Sequence, residues 1–95
     1  MSDVINKAVE ALKVKLPDGF SSTAKFVIED EGAIIVDENG VREGDDDAEV
    51  VMIADRETFE GMLNGDVNPT AAFMSGKLKV DGSMGLAMQL GAALA

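Results

Sequence analysis

The chain has 95 residues, 46% of them hydrophobic and 27% charged, which fits one globular domain over residues 1–95 and excludes a disordered chain. It has no Cys and no His, so disulfides, thiolate nucleophiles, the usual zinc sites, imidazole bases and Ser-His-Asp triads are all ruled out. Its net charge of −10 excludes the basic footprint that nucleic acid requires and predicts weak or no attraction to an anionic membrane.

Ser2 to Leu16 fits an amphipathic helix. Ser2 or Asp3 can cap it, Ile5, Ala8, Val9, Leu12 and Leu16 form one apolar stripe, and Pro17-Asp18-Gly19 stops it. This N-terminus has no basic region followed by an apolar run, so it does not read as a secretory signal. With the lack of cysteine, that points to a cytoplasmic location.

Ser22 to Glu29 alternates as a half-buried strand, with Ala24, Phe26 and Ile28 on one face. Asp30-Glu31-Gly32 is a turn. Ala33 to Val36 is a second short strand, and Asn39-Gly40 after it is a hairpin signal. Val41 to Asp47 is acidic and reads as a loop or frayed edge. Asp45-Asp46-Asp47, with Glu43 and Glu49, lacks the glycine and bidentate glutamate spacing of a calcium loop, so it reads as solvated and not as a metal site. Glu49 to Ala54 is a third strand. Val50 and Met52 lie on one face, Val51 and Ile53 on the other, so both faces are apolar and predict a covered strand.

The period then changes to that of helices. Asp55 is an N-cap, Phe59, Met62 and Leu63 form a buried stripe, and Asn64-Gly65 ends the helix. Asn68-Pro69 opens a second short helix containing Ala72, Phe73 and Met74, and Gly76 stops it. Lys77 to Asp81 is a strand with Leu78 and Val80 inward. Gly82-Ser83 leads into a last helix that has almost no polar face. Met84, Met88 and Gly91 fall on one side of it and Leu86, Leu90 and Leu94 on another. A helix apolar all round must be covered on more than one side, and this one is too short to span a bilayer, which takes roughly 20 residues. The order of elements is that of an α+β domain with one sheet.

Little here can carry catalysis. The paired carboxylates lie in turns and helix caps, where solvation predicts ordinary acidities. Gly76, Gly82, Gly85 and Gly91 do not have the spacing of a phosphate loop. What stands out is the apolar C-terminal half: Phe59, Met62, Leu63, Phe73, Met74, Met84, Leu86, Met88 and Leu90. On composition alone such side chains serve either as plain core or as the lining of an apolar pocket.

From Ala54-Asp55 to Leu90 the chain resembles the sterol carrier protein-2 family, also called non-specific lipid-transfer proteins or sterol-binding domains. The matching pieces are Asn68-Pro69 with Ala72-Phe73, then Gly76-Lys77-Leu78-Lys79-Val80, then Gly82-Ser83-Met84-Gly85-Leu86-Ala87-Met88. A looser fit runs back to about Phe20. The resemblance implies a single sheet of about five strands with helices over one face and an apolar tunnel between them. It implies that the tunnel binds and carries fatty acid, fatty acyl-CoA, sterol or phospholipid, with no catalytic residue, cofactor or metal. Carried over to this sequence, the tunnel is walled by Phe59, Met62 and Leu63, by Phe73 and Met74, and by Met84, Leu86, Met88 and Leu90, with Val50, Met52 and Ile53 as its floor. A rigid, dry tunnel of about 300–500 Å³ would cost about 7–12 kcal/mol. That is of the order of a small domain's whole stability, so an empty one should collapse, admit water or hold a lipid.

Three departures from the family's pattern bear on function. The chain is acidic where many members are basic. It stops at Ala95, without the peroxisomal address of many eukaryotic members. Gln89, Gly91, Ala92 and Ala93 stand where basic and Gln residues are common, which weakens the case for acyl-CoA phosphate recognition. The second reading is a non-catalytic interaction module. In it the Leu86/Leu90/Leu94 face of the last helix docks a protein partner or a second copy as a homodimer.

Overall fold

A computed structural model describes residues 3–94 of the chain. Its elements are α1 (Asp3–Lys15), β1 (Ala24–Ile28), β2 (Gly32–Asp37), β3 (Gly40–Glu43), β4 (Val50–Ala54), α2 (Arg56–Asn64), α3 (Pro69–Met74), β5 (Leu78–Gly82) and α4 (Met84–Leu94). The α+β reading holds, with all the strands in one five-stranded sheet of order β3-β2-β1-β4-β5. Ser2, one of the two caps expected for the first helix, lies outside the described residues.

Part of the segment expected to be a loop or frayed edge is a regular edge strand. Gly40–Glu43 forms β3 by closing the Asn39-Gly40 hairpin, with Val41 opposite Val36 and Arg42 opposite Ile35. The acidic sequence conceals this strand. Its polar residues are tolerated because β3 is an edge, and the Arg42 guanidinium pairs with the Asp37 carboxylate at 2.9 and 3.0 Å.

The sheet is antiparallel except at its centre, where β1 and β4 run parallel in the register Ala24–Val50, Phe26–Met52 and Ile28–Ala54. A parallel neighbour cannot be reached by a tight turn, so the chain must cross the sheet. Residues 44–49 do so over the outer face. The Gly44 amide donates to the Ala33 carbonyl, the Asp45 carboxylate takes the Lys25 ammonium at 2.8 Å, and the Glu49 amide donates to Thr23. This strap buries Ile35 although its side chain is on the outer face.

The helices cover the other face. Ala24, Phe26, Ile28, Ile34, Val36, Val41, Val50, Met52, Ala54 and Leu78 point into that layer and are buried. Helix α1 lies over β2 and β3 and seats Ile5, Ala8 and Leu12 in the core. Helix α4 packs on β4, β5, α1 and α3. Its leucine face is turned inward: Leu90 and Leu94 are fully buried and Leu86 is half-buried against the core. The Leu86/Leu90/Leu94 surface of the interaction reading is therefore not free to dock anything. The apolar driving force that would make it sticky is already satisfied within the domain.

Candidate functional site

Three local features build one wall of a cleft. Asn68 caps α3, its side-chain oxygen accepting from the Thr70 and Ala71 amides at 2.8 and 3.1 Å. Pro69 occupies the first helical position and is buried. On α4, Gly91 presents no side chain, and a Cβ there would sit 3.5 Å from Pro69 Cβ. The two helices therefore lie close here, an added methyl at Gly91 falling at ordinary contact distance from Pro69.

Between α3, α4 and strands β4 and β5 lies an open cleft of about 430 Å³. Met52, Leu78 and Val80 form its floor, Phe73 and Met74 one wall, and Met84, Ala87 and Met88 the other. None of its 13 lining residues is ionisable; the polar ones are Asn68 and Thr70. The size lies within the usual range of small-molecule sites, about 300–1,000 Å³. Because the cleft is open along one side, it is not a dry enclosed cavity, and the cost of one does not arise. The methionines stand out into solvent: Met74 is 81% exposed and Met88 73%.

The residues singled out from the sequence fall into four groups. Met52, Phe73, Met74, Met84 and Met88 come together in this cleft. Val50, Met62 and Leu90 lie wholly within the core, and Leu86 packs against it. Phe59 and Leu63 border a second, smaller hollow of about 200 Å³ between α1 and α2, with Lys7 and Arg56 also on its lining. Ile53 projects from the opposite face of the sheet, because residues alternate and Met52 and Ala54 take the helix side.

The cleft also uses Asn68, Pro69, Thr70, Leu78, Val80, Ala87, Gly91 and Ala92. The signal for these lay in the sequence as structural punctuation: a cap, a proline, an inward strand pair and the small face of the last helix. Each was legible as structure and silent as lining.

The acidities of two carboxylates depart from the ordinary values expected for turns and caps. Hydrogen bonds from the Thr58 side chain and amide, helped by Lys77, lower the pKa of Asp55. The paired Arg42 guanidinium, with the Asn39 amide, lowers the pKa of Asp37. Both shifts favour the ionised form, which serves capping and pairing and not proton transfer at neutral pH. Neither carboxylate lines the cleft.

Fold and cleft together define a small α+β domain with an open apolar cleft between its last two helices and its sheet. The chain belongs to the SCP-2 sterol transfer family, whose model matches residues 4–95. It is 38% identical over 91 residues to hydroxysteroid dehydrogenase-like protein 2 of Bos taurus and 36% identical over 91 residues to that of Homo sapiens. Each match covers 95% of this chain and 21% of the relative, so the chain spans about a fifth of the length of these relatives. Among solved structures it is similar to sterol carrier protein-2 of Aedes aegypti in complex with palmitate, with a TM-score of 0.80 at 20% identity, covering 100% of this chain and 97% of that one. The apo form of sterol carrier protein 2 from Yarrowia lipolytica gives 0.70 at 21% identity, covering 97% and 84%. These two likenesses establish the shared fold.

Proposed function

We propose that this protein is a non-catalytic carrier of long-chain lipids, holding the apolar chain in the cleft between β5, α3 and α4. The observation that carries this reading is the cleft itself: about 430 Å³ of apolar space, walled by flexible methionines and lacking any ionisable group. A site of this kind selects for length and greasiness, since burial of methylenes at about 0.8 kcal/mol each supplies the affinity. It has no acid, base or nucleophile with which to turn a ligand over. The family membership and the palmitate bound to the Aedes aegypti protein support a fatty acid as ligand, and fatty acyl-CoA, sterol and phospholipid share the required apolar body.

In this reading Met74, Met84 and Met88 fold down over the bound chain and turn the open cleft into a tunnel. Methionine suits this, with three rotatable bonds and a polarizable sulfur that fits irregular surfaces. The core residues Val50, Met62, Leu86 and Leu90 then act indirectly, by holding the sheet and α4 at a fixed separation. The carrier works in the cytoplasm. Among the described residues no helix is long and apolar enough to cross a membrane.

The test is a lipid extract of protein purified from cells, followed by titration of the delipidated protein with a fluorescent fatty acid. A co-purifying lipid, saturable binding and displacement by palmitate are expected. Titration without saturation, on protein whose extract holds no long-chain lipid, would overturn the reading.

A further inference from the structure

We propose that the α3–α4 face around the cleft mouth is a membrane-docking surface. It would lie on a lipid bilayer with Met74, Met84 and Met88 at the apolar boundary, so that a lipid passes directly between bilayer and cleft. The inference rests on the carrier reading.

Exposed greasy side chains are few and concentrated. Among the described residues the large exposed hydrophobics are Val14, Phe73, Met74, Met84 and Met88, and all but Val14 line this one cleft. Single exposed apolar residues are ordinary, whereas a contiguous group rimming an opening marks a contact surface.

Charge is also divided along the chain. Residues 67–95 carry only Lys77, Lys79 and Asp81, a net +1, and α3 and α4 carry no charged side chain at all. Residues 1–66 hold the other 17 acidic and 6 basic side chains, a net −11. The overall charge of −10 is therefore misleading for this face. The domain measures 31 × 29 × 22 Å, and a Debye length of about 8 Å at physiological salt limits the reach of acidic groups beyond that distance; none of them lines the cleft. What the bilayer meets is uncharged and apolar, the kind of surface that inserts shallowly among headgroups whatever their sign.

A bilayer fits this face better than a second copy does. Pairing two copies brings together two molecules of net charge −10, and exposed methionines offer no hydrogen bonds to fix a register. A bilayer asks for no register, and it is where the lipid must be collected and left.

The chain has no Trp, so single tryptophans report cleanly. Met74→Trp and Met88→Trp place a reporter at positions 81% and 73% exposed, and Val14→Trp, at 80%, is the control away from the cleft. Circular dichroism verifies that each variant is folded. The probe is vesicles of phosphatidylcholine, with and without bromine-labelled acyl chains. A blue shift at 74 and 88, and quenching by the brominated lipid that persists at high salt, are expected, with neither at 14. Silence at 74 and 88, or an equal response at 14, overturns the proposal. So does a blue shift that grows with protein concentration without vesicles, which would place a second copy on this face. Titration of the unsubstituted protein with palmitate in vesicle-free solution keeps the two readings apart. Binding there with silent reporters sinks the docking surface alone, and docking without such binding sinks the carrier alone.

Discussion

Phe59 of α2 stacks on Phe26 of β1, with ring centroids 5.4 Å apart and planes within 15°. This pair fastens α2 to the centre of the sheet and keeps Phe59 out of the cleft, at 2% exposure. Phe73 is its counterpart in the cleft, at 40% exposure and with no ring partner among the described residues. The two phenylalanines should therefore separate stability from binding. Phe59→Ala should cost about 3–5 kcal/mol in urea unfolding. Phe73→Ala should cost about 1–2 kcal/mol, since its ring is only partly buried, and should weaken fatty acid binding. The reverse order of stabilities would mean that the core does not run through α2.

Gly82, at the end of β5, and Gly91, within α4, make opposite demands. Gly82 has φ +96°, and a Cβ there would collide with the Glu49 carbonyl oxygen. Gly82→Ala should destabilise by at least about 1–3 kcal/mol, because it strains the turn that delivers the chain into α4. At Gly91 an added Cβ meets Pro69 at an ordinary 3.5 Å. Gly91→Ala should match or exceed the parent in thermal stability, because Ala is favoured over Gly in a helix by about 1 kcal/mol. Thermal melts of the pair check the opposite signs.

Much of this architecture was readable in the residues, for identifiable reasons. The α1 stripe, the alternation of β1, the caps at Asp55 and Asn68 and the punctuation at Gly65, Gly76 and Gly82 all follow local rules, and the structure uses each of them. Three things were not local. The strand β3 is short, polar and followed by an acidic run, and only its hairpin partner and the Arg42–Asp37 pair make it a strand. Strand β4 is apolar on both faces, so only the sheet register decides that Met52 looks into the cleft and Ile53 away from it. Helix α4 is apolar all round, and which side faces the core depends on tertiary packing. Burial of Ala87, Leu90 and Leu94 leaves Met84 and Met88 outward, which is also why a leucine docking face does not exist.

The cleft depends on a helix of six residues, and one side chain secures its start. Asn68 satisfies two amides of α3 that would otherwise lack partners. Asn68→Ala should lower stability by about 1 kcal/mol, and Asn68→Asp should restore most of it. Because α3 carries Phe73 and Met74, the alanine variant should also bind fatty acid less tightly than its global stability alone would predict. Hydrogen exchange should show faster opening of the Thr70 and Ala71 amides in that variant, with the β1 and β4 amides little changed. Uniform acceleration across the sheet would show that the cap acts globally and not on α3.

Acid should loosen α2 through Asp55. Its folded acidity constant lies below the ordinary 3.8, held there mainly by the hydrogen bonds from Thr58, with Lys77 adding attraction. A carboxylate whose folded pKa is depressed contributes stability that is fully present above its unfolded pKa. That contribution is lost as pH falls through the folded value. The Asp55 contribution should therefore be constant from neutral pH down to about 5 and decline below about 4. Asp55→Asn keeps a capping oxygen but cannot ionise, so it should be less stable than the parent at pH 7, and the gap should close as pH drops. Melts of the two proteins at matched ionic strength between pH 7 and pH 3 give the comparison. The pair at Asp37 and Arg42 adds acid sensitivity of the same sign to both proteins and so cancels from the difference. A gap that stays constant through the whole range would show that the charge on Asp55 contributes nothing and that its role is hydrogen bonding alone.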